Sequence, residues 1–393
     1  MSDSPTSGLP IVDGHCHPPL RPPRPRDPDE LLGLFTESRE PAAIAHAAHT
    51  LYFQCVLSDL AAFHDCAPTL DAVLAARRAL EPAALVARCA ERAGLVALLV
   101  DGGYRSADCY TVEELGTLLP PPCGAFPVLR LEPLLERLLT ESESFPALEE
   151  ALDSALADPR AGGFRALKSI VAYRSGLALG PPDRPAAAAV YAGVKQRPFA
   201  SADQSALAAT SGLLRLTEKP LLDYFLVRAF AAASRHRLPV QLHTGFGDAD
   251  LDLLRANPLL LRPALEAGAF GDAPVVLLHG YPYLREAGYL ANLYSSVYID
   301  VSLTIPLLGP ACQRALEEIL ELAPASKVHY GSDAAGLAES WWLGALAVRR
   351  ALDGALGAWV HTGSLTASQA VRVAQQILHA NAVTLYDLPA PTG

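Results

Sequence analysis

Short, continuous apolar runs alternate along the chain with longer stretches whose apolar residues recur at helical spacing. The runs cover residues 10–16, 95–100, 126–131, 164–170, 239–243, 274–279, 297–301 and 328–331. Most are apolar over four to six residues, the pattern of strands buried on both faces. Between them, 42–65, 70–93, 134–156, 221–237, 340–356 and 367–382 repeat their apolar positions with the period of an amphipathic helix. Eight strand-then-helix units in order predict an α/β fold closed into a (β/α)8 TIM barrel. An open doubly wound sheet would normally carry a glycine-rich phosphate loop after its first strand. Here the first strand runs into His15-Cys16-His17 instead.

A barrel core takes about 250 residues, and the chain has 393. The surplus falls into extended loops after strands one and four. One is the Pro/Arg-rich segment 18–28, and the other is 172–211, rich in Pro, Gly and Ala. Both follow strands, so both are expected at the C-terminal mouth of the barrel, where loops carry function. With no internal repeat in view, residues 1–393 are expected to form a single domain.

Charge and composition remove several functions. The chain has 31 Lys+Arg against 42 Asp+Glu, a net charge of −11. There is no basic surplus to meet phosphates, so no nucleic-acid partner is expected. No apolar stretch approaches the roughly 18–20 residues that cross a bilayer, which argues against a membrane role. The polar start MSDSPTSGLP lacks the basic and apolar regions of a signal peptide, so a cytoplasmic location is expected. Seven scattered cysteines with no CxxC pair read as free thiols.

The chemistry sits at the strand ends. Side chains alternate along a strand, so Asp13, His15 and His17 share one face of strand one and Cys16 takes the other. Two imidazoles on one face can chelate one metal ion, although an HxH triplet alone is common. Strand five ends in QLHTG with His243, strand six in LLHGYP with His279, and strand eight in HYGSD with Asp333; strand four carries Lys168. Residues at the C-terminal ends of barrel strands converge on one point. His and Asp are ligands for zinc and its neighbours.

Weaker candidates surround this group. Tyr173 and Arg174 follow strand four, Arg130 lies on strand three with Glu132 on the same side, and Asp101 and Tyr104–Arg105 follow strand two. Arginine suits bidentate capture of a substrate carboxylate, and a structural ion pair is the alternative for each. Glu339 is expected to favour a helix N-terminus. Asp248 is either a turn residue or a support for a ligand. His46, His49, His64, His236, His329, His361 and His379, with Trp341 and Trp342, read as structural or surface residues.

With HxH on strand one, Lys on strand four, His on strands five and six and Asp on strand eight, the chain resembles the amidohydrolase superfamily. The stretches HTLYFQCVLSDL (49–60), LLVDGGYR (98–105), VLRLE (128–132), KSIVAYRSGL (168–177), QLHTGFGD (241–248) and GSDAAGLAESWWLGA (331–345) are similar to one branch. That branch holds the amidohydrolase-related domains found alone, or joined to glutamine-synthetase-like domains, in nodulin-type and fungal developmental proteins.

The resemblance implies one or two divalent metal ions, zinc first, with manganese or iron as alternatives. His15, His17, His243 and Asp333 would bind metal, with His279 and a carbamylated Lys168 completing a second site. A charged lysine would repel a nearby dication, so Lys168 must be modified, neutral or set back. Asp333 would take a proton from water and pass it to the leaving amine, and His279 would bind metal or polarise the carbonyl. The implied reaction is hydrolysis of a C–N amide bond in a small, carboxylate-bearing substrate such as a γ-glutamyl amide or an N-acyl amino acid. Arg174, Tyr173, Arg130 and Asp101 would contact that substrate. The γ-glutamyl choice rests on the branch's glutamine-synthetase-like companions and is an analogy. A single-metal, non-oxidative decarboxylase of an aromatic or dienyl acid is the first alternative, and a non-catalytic barrel the second. Barrels of this type often pair, so a homodimer is compatible with the sequence.

Overall fold

A computed structural model describes residues 4–22, 24–103, 108–196 and 215–389, without the side chains of 305 and 306. Its strands are β1 (Ile11–Cys16), β2 (Leu95–Asp101), β3 (Gly124–Arg130), β4 (Ala166–Ser169), β5 (Val240–Thr244), β6 (Val275–His279), β7 (Val297–Asp300) and β8 (Val328–His329). They lie side by side in sequence order, each parallel to the next. Every strand corresponds to one apolar run. The largest trims are at β4 and at β8, which has two residues.

Past β8 the backbone leaves the regular ladder but keeps bonding to β1. Gly14 N donates to Tyr330 O at 2.9 Å, Asp333 N to His15 O at 2.8 Å, and His17 N to Ala334 O at 2.8 Å. These bonds close the (β/α)8 barrel. Gly14 permits the seam, because a Cβ there would stand 2.7 Å from His329 Cδ2 and 2.9 Å from Tyr330 O.

Three of the predicted helical stretches are split. The stretch 42–65 divides into Pro41–Ala47 and Leu51–His64, the second capped by the Thr50 side chain. The stretch 70–93 divides into Leu70–Arg78 and Pro82–Ala93, and 134–156 into Leu131–Glu141 and Phe145–Ala155. Pro82 and Pro146 sit in the first turn of the second helix of their pairs, where a missing N–H costs nothing. The apolar period runs through the breaks, so periodicity alone reads each pair as one helix.

The expected loop after β1 runs to Asp27, residue 23 lying outside the described residues. Beyond it, helices from Pro28 onward carry Leu31, Phe35, Phe53, Leu60, Val73 and Leu74, which pack as a small core against Leu337 and Leu343 after β8. After β4 the helix Arg184–Lys195 occupies part of the second predicted loop. The stretch 197–214 lies outside the described residues.

The main core lies between strands and helices. A second apolar cluster fills the barrel below the strand ends: Val12, Leu99, Val128, Ala166, Val276 and Leu278 meet Ala382, Tyr386 and Leu388 from the chain's end. The helix Asn381–Tyr386 therefore plugs the barrel opposite its mouth. All seven cysteines are free thiols. No described helix is long and apolar enough to cross a membrane.

Candidate metal centre

β1 delivers His15 and His17 to the mouth, and the seam with β8 delivers Asp333. Asp333 Oδ1 lies 3.2 Å from His15 Nε2 and 3.3 Å from His17 Nε2. Asp333 adopts φ 52°, a left-handed conformation that aspartate tolerates better than most residues. His279, at the end of β6, places Nδ1 3.9 Å from Asp333 Oδ2. Ligand atoms of His15, His279 and Asp333 all fall within 4.8 Å of one another. Those of His15, His17 and Asp101 form a second such group. Lys168 Nζ, buried on β4, lies 3.4 Å from His15 Nε2.

His243 stands at the edge of this ring. Its imidazole centroid is 4.5 Å from that of His279 and 4.6 Å from the Tyr173 ring. Its Nε2 lies 3.2 Å from the Phe246 carbonyl oxygen, so ligation would need Nδ1 or a turned ring.

The Nδ1 of each ring-forming imidazole is engaged, behind the site for His15 and His17, and for His279 at the same atom that approaches Asp333. His17 Nδ1 lies 2.9 Å from the Asp101 carbonyl oxygen. A carbonyl only accepts, so Nδ1 of His17 carries a hydrogen and Nε2 is the nitrogen turned to Asp333. His15 Nδ1 lies 2.9 Å from Gln241 Oε1, and His279 Nδ1 2.9 Å from Ser302 Oγ. Burial, reinforced by Lys168, lowers His15 to about 4. Burial also holds His243 and His279 well below the usual histidine range, so these rings are neutral at neutral pH.

Burial alone would raise the Asp333 carboxyl, whereas a proton carried towards it by the His279, His15 or His17 imidazole holds it well below the usual carboxylate range, and a cation in the ring would act in the same direction. Its buried Oδ1 has no hydrogen-bond partner. A carboxylate oxygen thus faces two nitrogen atoms at little more than 3 Å, each the outward nitrogen of a ring anchored through Nδ1. A divalent cation satisfies such a set, and nitrogen with oxygen donors suits zinc, manganese or iron. Burial pushes Lys168 down to about 8, against the pull of Asp333 and Asp101, so its amine is partly neutral near neutrality.

The expected substrate contacts are placed unequally. Tyr173 lies on the His243 ring, and Gly247 leaves room for its hydroxyl. Arg130 and Asp101 are paired with each other, Nε–Oδ2 at 2.8 Å and Nη2–Oδ2 at 2.6 Å, beside His17. Arg174 turns to Glu136 on the helix Leu131–Glu141, 3.1 Å away, because a guanidinium this buried needs a counterion. Burial raises Glu136 itself to about 7.

Two other expectations need correcting, those for Glu132 and for the capping bond of Glu339. Glu132 is not on strand three: β3 ends at Arg130, and Glu132 lies in the next helix, accepting from Ser169 Oγ at 2.6 Å and Ile170 N at 3.0 Å. Glu339 opens the helix Glu339–His361 as expected but makes no capping bond; it is fully buried against Arg77, with His64 Nε2 at 3.1 Å. Asp248 serves its turn and also binds Arg39 at 2.6 Å. Tyr104 and Arg105 lie outside the described residues.

The sequence reading passed over the residues that hold the ring in place. Gln241 supports His15 and Ser302 supports His279. Asp13 accepts from Ser332 N and Oγ at 2.8 and 2.5 Å, and burial raises it to about 7. One signal was available for Gln241: a polar residue inside the apolar VQLHT run, two positions before His243 and therefore on its face.

Comparison with known proteins agrees with this geometry. The sequence profile of the amidohydrolase family matches residues 146–388. Over 254 residues the chain is 34% identical to protein fluG of Emericella nidulans, covering 63% of this chain and 28% of that protein. The chain therefore spans little more than a quarter of that relative's length. A crystal structure from Lactobacillus casei, described as an inferred metal-dependent hydrolase, superposes with TM-score 0.83 and 30% identity, covering 97% of this chain and 96% of the other. The uronate isomerase of Thermotoga maritima superposes with TM-score 0.66 and 14% identity over 97% of this chain and 95% of its own, a likeness of fold.

Proposed function

The chain belongs to the amidohydrolase superfamily, and from that premise we propose that it is a metal-dependent hydrolase of C–N amide bonds in small, carboxylate-bearing substrates. One observation carries the reading: the unpartnered Asp333 Oδ1 held against the Nε2 atoms of His15 and His17. These three, with His279, would hold the ion, and His243 and Lys168 stand close enough to join them. A divalent ion in that ring supplies Lewis acidity, bringing the pKa of water toward about 7.

The protein's own groups supply the rest. Asp333, ionised and buried, accepts a proton from the attacking water as the water oxygen bonds to the carbonyl carbon. It returns that proton to the nitrogen as the C–N bond breaks, so the amine leaves neutral. Tyr173, packed on His243, would flank a substrate bound at the ring. Arg130 offers the hydrogens that Asp101 leaves over to a substrate carboxylate. The depressed Lys168 amine favours capture of carbon dioxide, which gives a carbamate and releases one proton.

The test is a panel of γ-glutamyl amides, N-acyl amino acids and aromatic acids, given to protein purified without chelators. Amine release from the amides supports the reading. Carbon dioxide release from the aromatic acids with no amide cleavage overturns it in favour of a decarboxylase. Metal-loaded protein inert to the whole panel would favour a barrel without catalysis.

A further inference from the structure

Below the ring, buried polar groups link the end of the chain to His15. Gln241 is fully buried and uses both hydrogens of its amide nitrogen: Nε2 donates to Gly14 O at 2.8 Å and to Tyr386 Oη at 3.0 Å. Gly14 O can only accept, which identifies that end of the amide as nitrogen. Oε1 is therefore the atom 2.9 Å from His15 Nδ1. An amide oxygen only accepts as well, so the His15 hydrogen is on Nδ1 and the Nε2 lone pair faces Asp333. Tyr386 Oη, which accepts from Gln241, also lies 3.1 Å from His329 Nε2. The hydrogen bonds run one way from His15 through Gln241 to Tyr386, which stands against His329.

We infer that Gln241 is a positioning residue that sets the tautomer of His15 for metal binding, with Tyr386 of the barrel plug bracing its amide. An inverted amide would present NH2 to His15 Nδ1, move the imidazole hydrogen to Nε2 and aim it at Asp333. That arrangement closes the ring to a cation. Gly14 O and Tyr386 Oη both oppose the inversion. The inference rests on the metal-site reading of His15 and Asp333, and it adds that the C-terminal helix is part of the metal site.

The experiment measures the dissociation constant of the apo protein for Zn2+, by competition with a chromogenic chelator, alongside its melting temperature. Gln241→Met removes the acceptor and should weaken Zn2+ about tenfold or more, the usual scale for losing a group behind a metal-binding histidine. Gln241→Glu presents an oxygen to His15 whichever way it turns. It should lower the melting temperature, because it places oxygen against Gly14 O, yet bind Zn2+ within about threefold of the parent. A purely structural role would make affinity follow melting temperature. Tyr386→Phe should weaken Zn2+ by an intermediate factor, and it decides the matter if Gln241→Met does not fold. Unchanged affinity in both Gln241→Met and Tyr386→Phe, or equal losses in Gln241→Glu and Gln241→Met, overturns the inference. Failure of the parent protein to bind Zn2+ overturns the metal-site reading instead.

Discussion

Asp333 Oδ1 faces His15 Nε2 at 3.2 Å, and the same two residues are joined by a backbone bond, Asp333 N to His15 O, at 2.8 Å. The seam that closes the barrel between β8 and β1 is thus also the floor of the proposed metal ring. Closure and ligand geometry depend on one set of backbone contacts, and this shapes the first two predictions.

Asp333→Asn keeps the volume and the backbone bonds but removes the charge and the proton acceptor. The protein should fold and retain metal, and kcat should fall by about a hundredfold or more, the scale of a positioned acid–base group. Turnover on the amide that the panel identifies, with metal content measured on the same sample, checks this. Near-parental kcat would remove Asp333 from proton transfer.

Gly14→Ala attacks the seam itself. The added methyl would meet the His329 ring and the Tyr330 carbonyl inside 3 Å. Overpacking of this kind costs about 1–3 kcal/mol. Urea unfolding should show a lower midpoint with an unchanged slope, and an unchanged midpoint would mean that the seam gives way without cost.

Glu339 gives the protein a specific acid sensitivity. Burial opposes its ionisation, but Arg77 and His64 outweigh burial and bring it from 4.5 to about 2. A folded pKa below the unfolded one stabilises the fold above the unfolded value, and that stability is lost as pH falls from about 4.5 toward 2. The interval corresponds to an order of about 3 kcal/mol. Glu339→Gln should lower stability near neutrality and flatten the acid limb. Unfolding midpoints near neutral pH and at about pH 3 for both proteins test it, and equal acid slopes would contradict it.

Lys168 lies within 3.4 Å of a proposed ligand atom, so its charge should govern metal loading. Lys168→Arg keeps a permanent cation beside the ring and should hold less metal than Lys168→Met, which has none. Bicarbonate should raise loading in the parent and leave Lys168→Met unmoved. Equal loading in the two variants would place position 168 outside the metal's field.

Strand order, barrel class and the positions of His15, His17, Lys168, His279 and Asp333 were legible because period-two alternation and strand ends are local properties. Partner choice was not. Arg130 meets Asp101 because β3 lies beside β2 with Asp101 opposite Val128, a register that two separate runs do not reveal. Arg174 follows strand four as expected, but Glu136 claims it from a neighbouring helix. Tyr386 enters the barrel from the opposite end on a short helix, so no strand pattern could connect it with His15. Two of the three helix breaks are marked by prolines, Pro82 and Pro146, and the third by the Thr50 cap, signals that periodicity does not weigh.

The central claim is that His15, His17 and Asp333 bind a divalent ion, and elemental analysis of metal per chain tests it most directly. Protein purified without chelators and exposed to zinc or manganese should hold at least about one equivalent, and His15→Ala/His17→Ala should hold essentially none while remaining folded. A folded parent protein with no bound metal, or a double variant with the parental content, would contradict it.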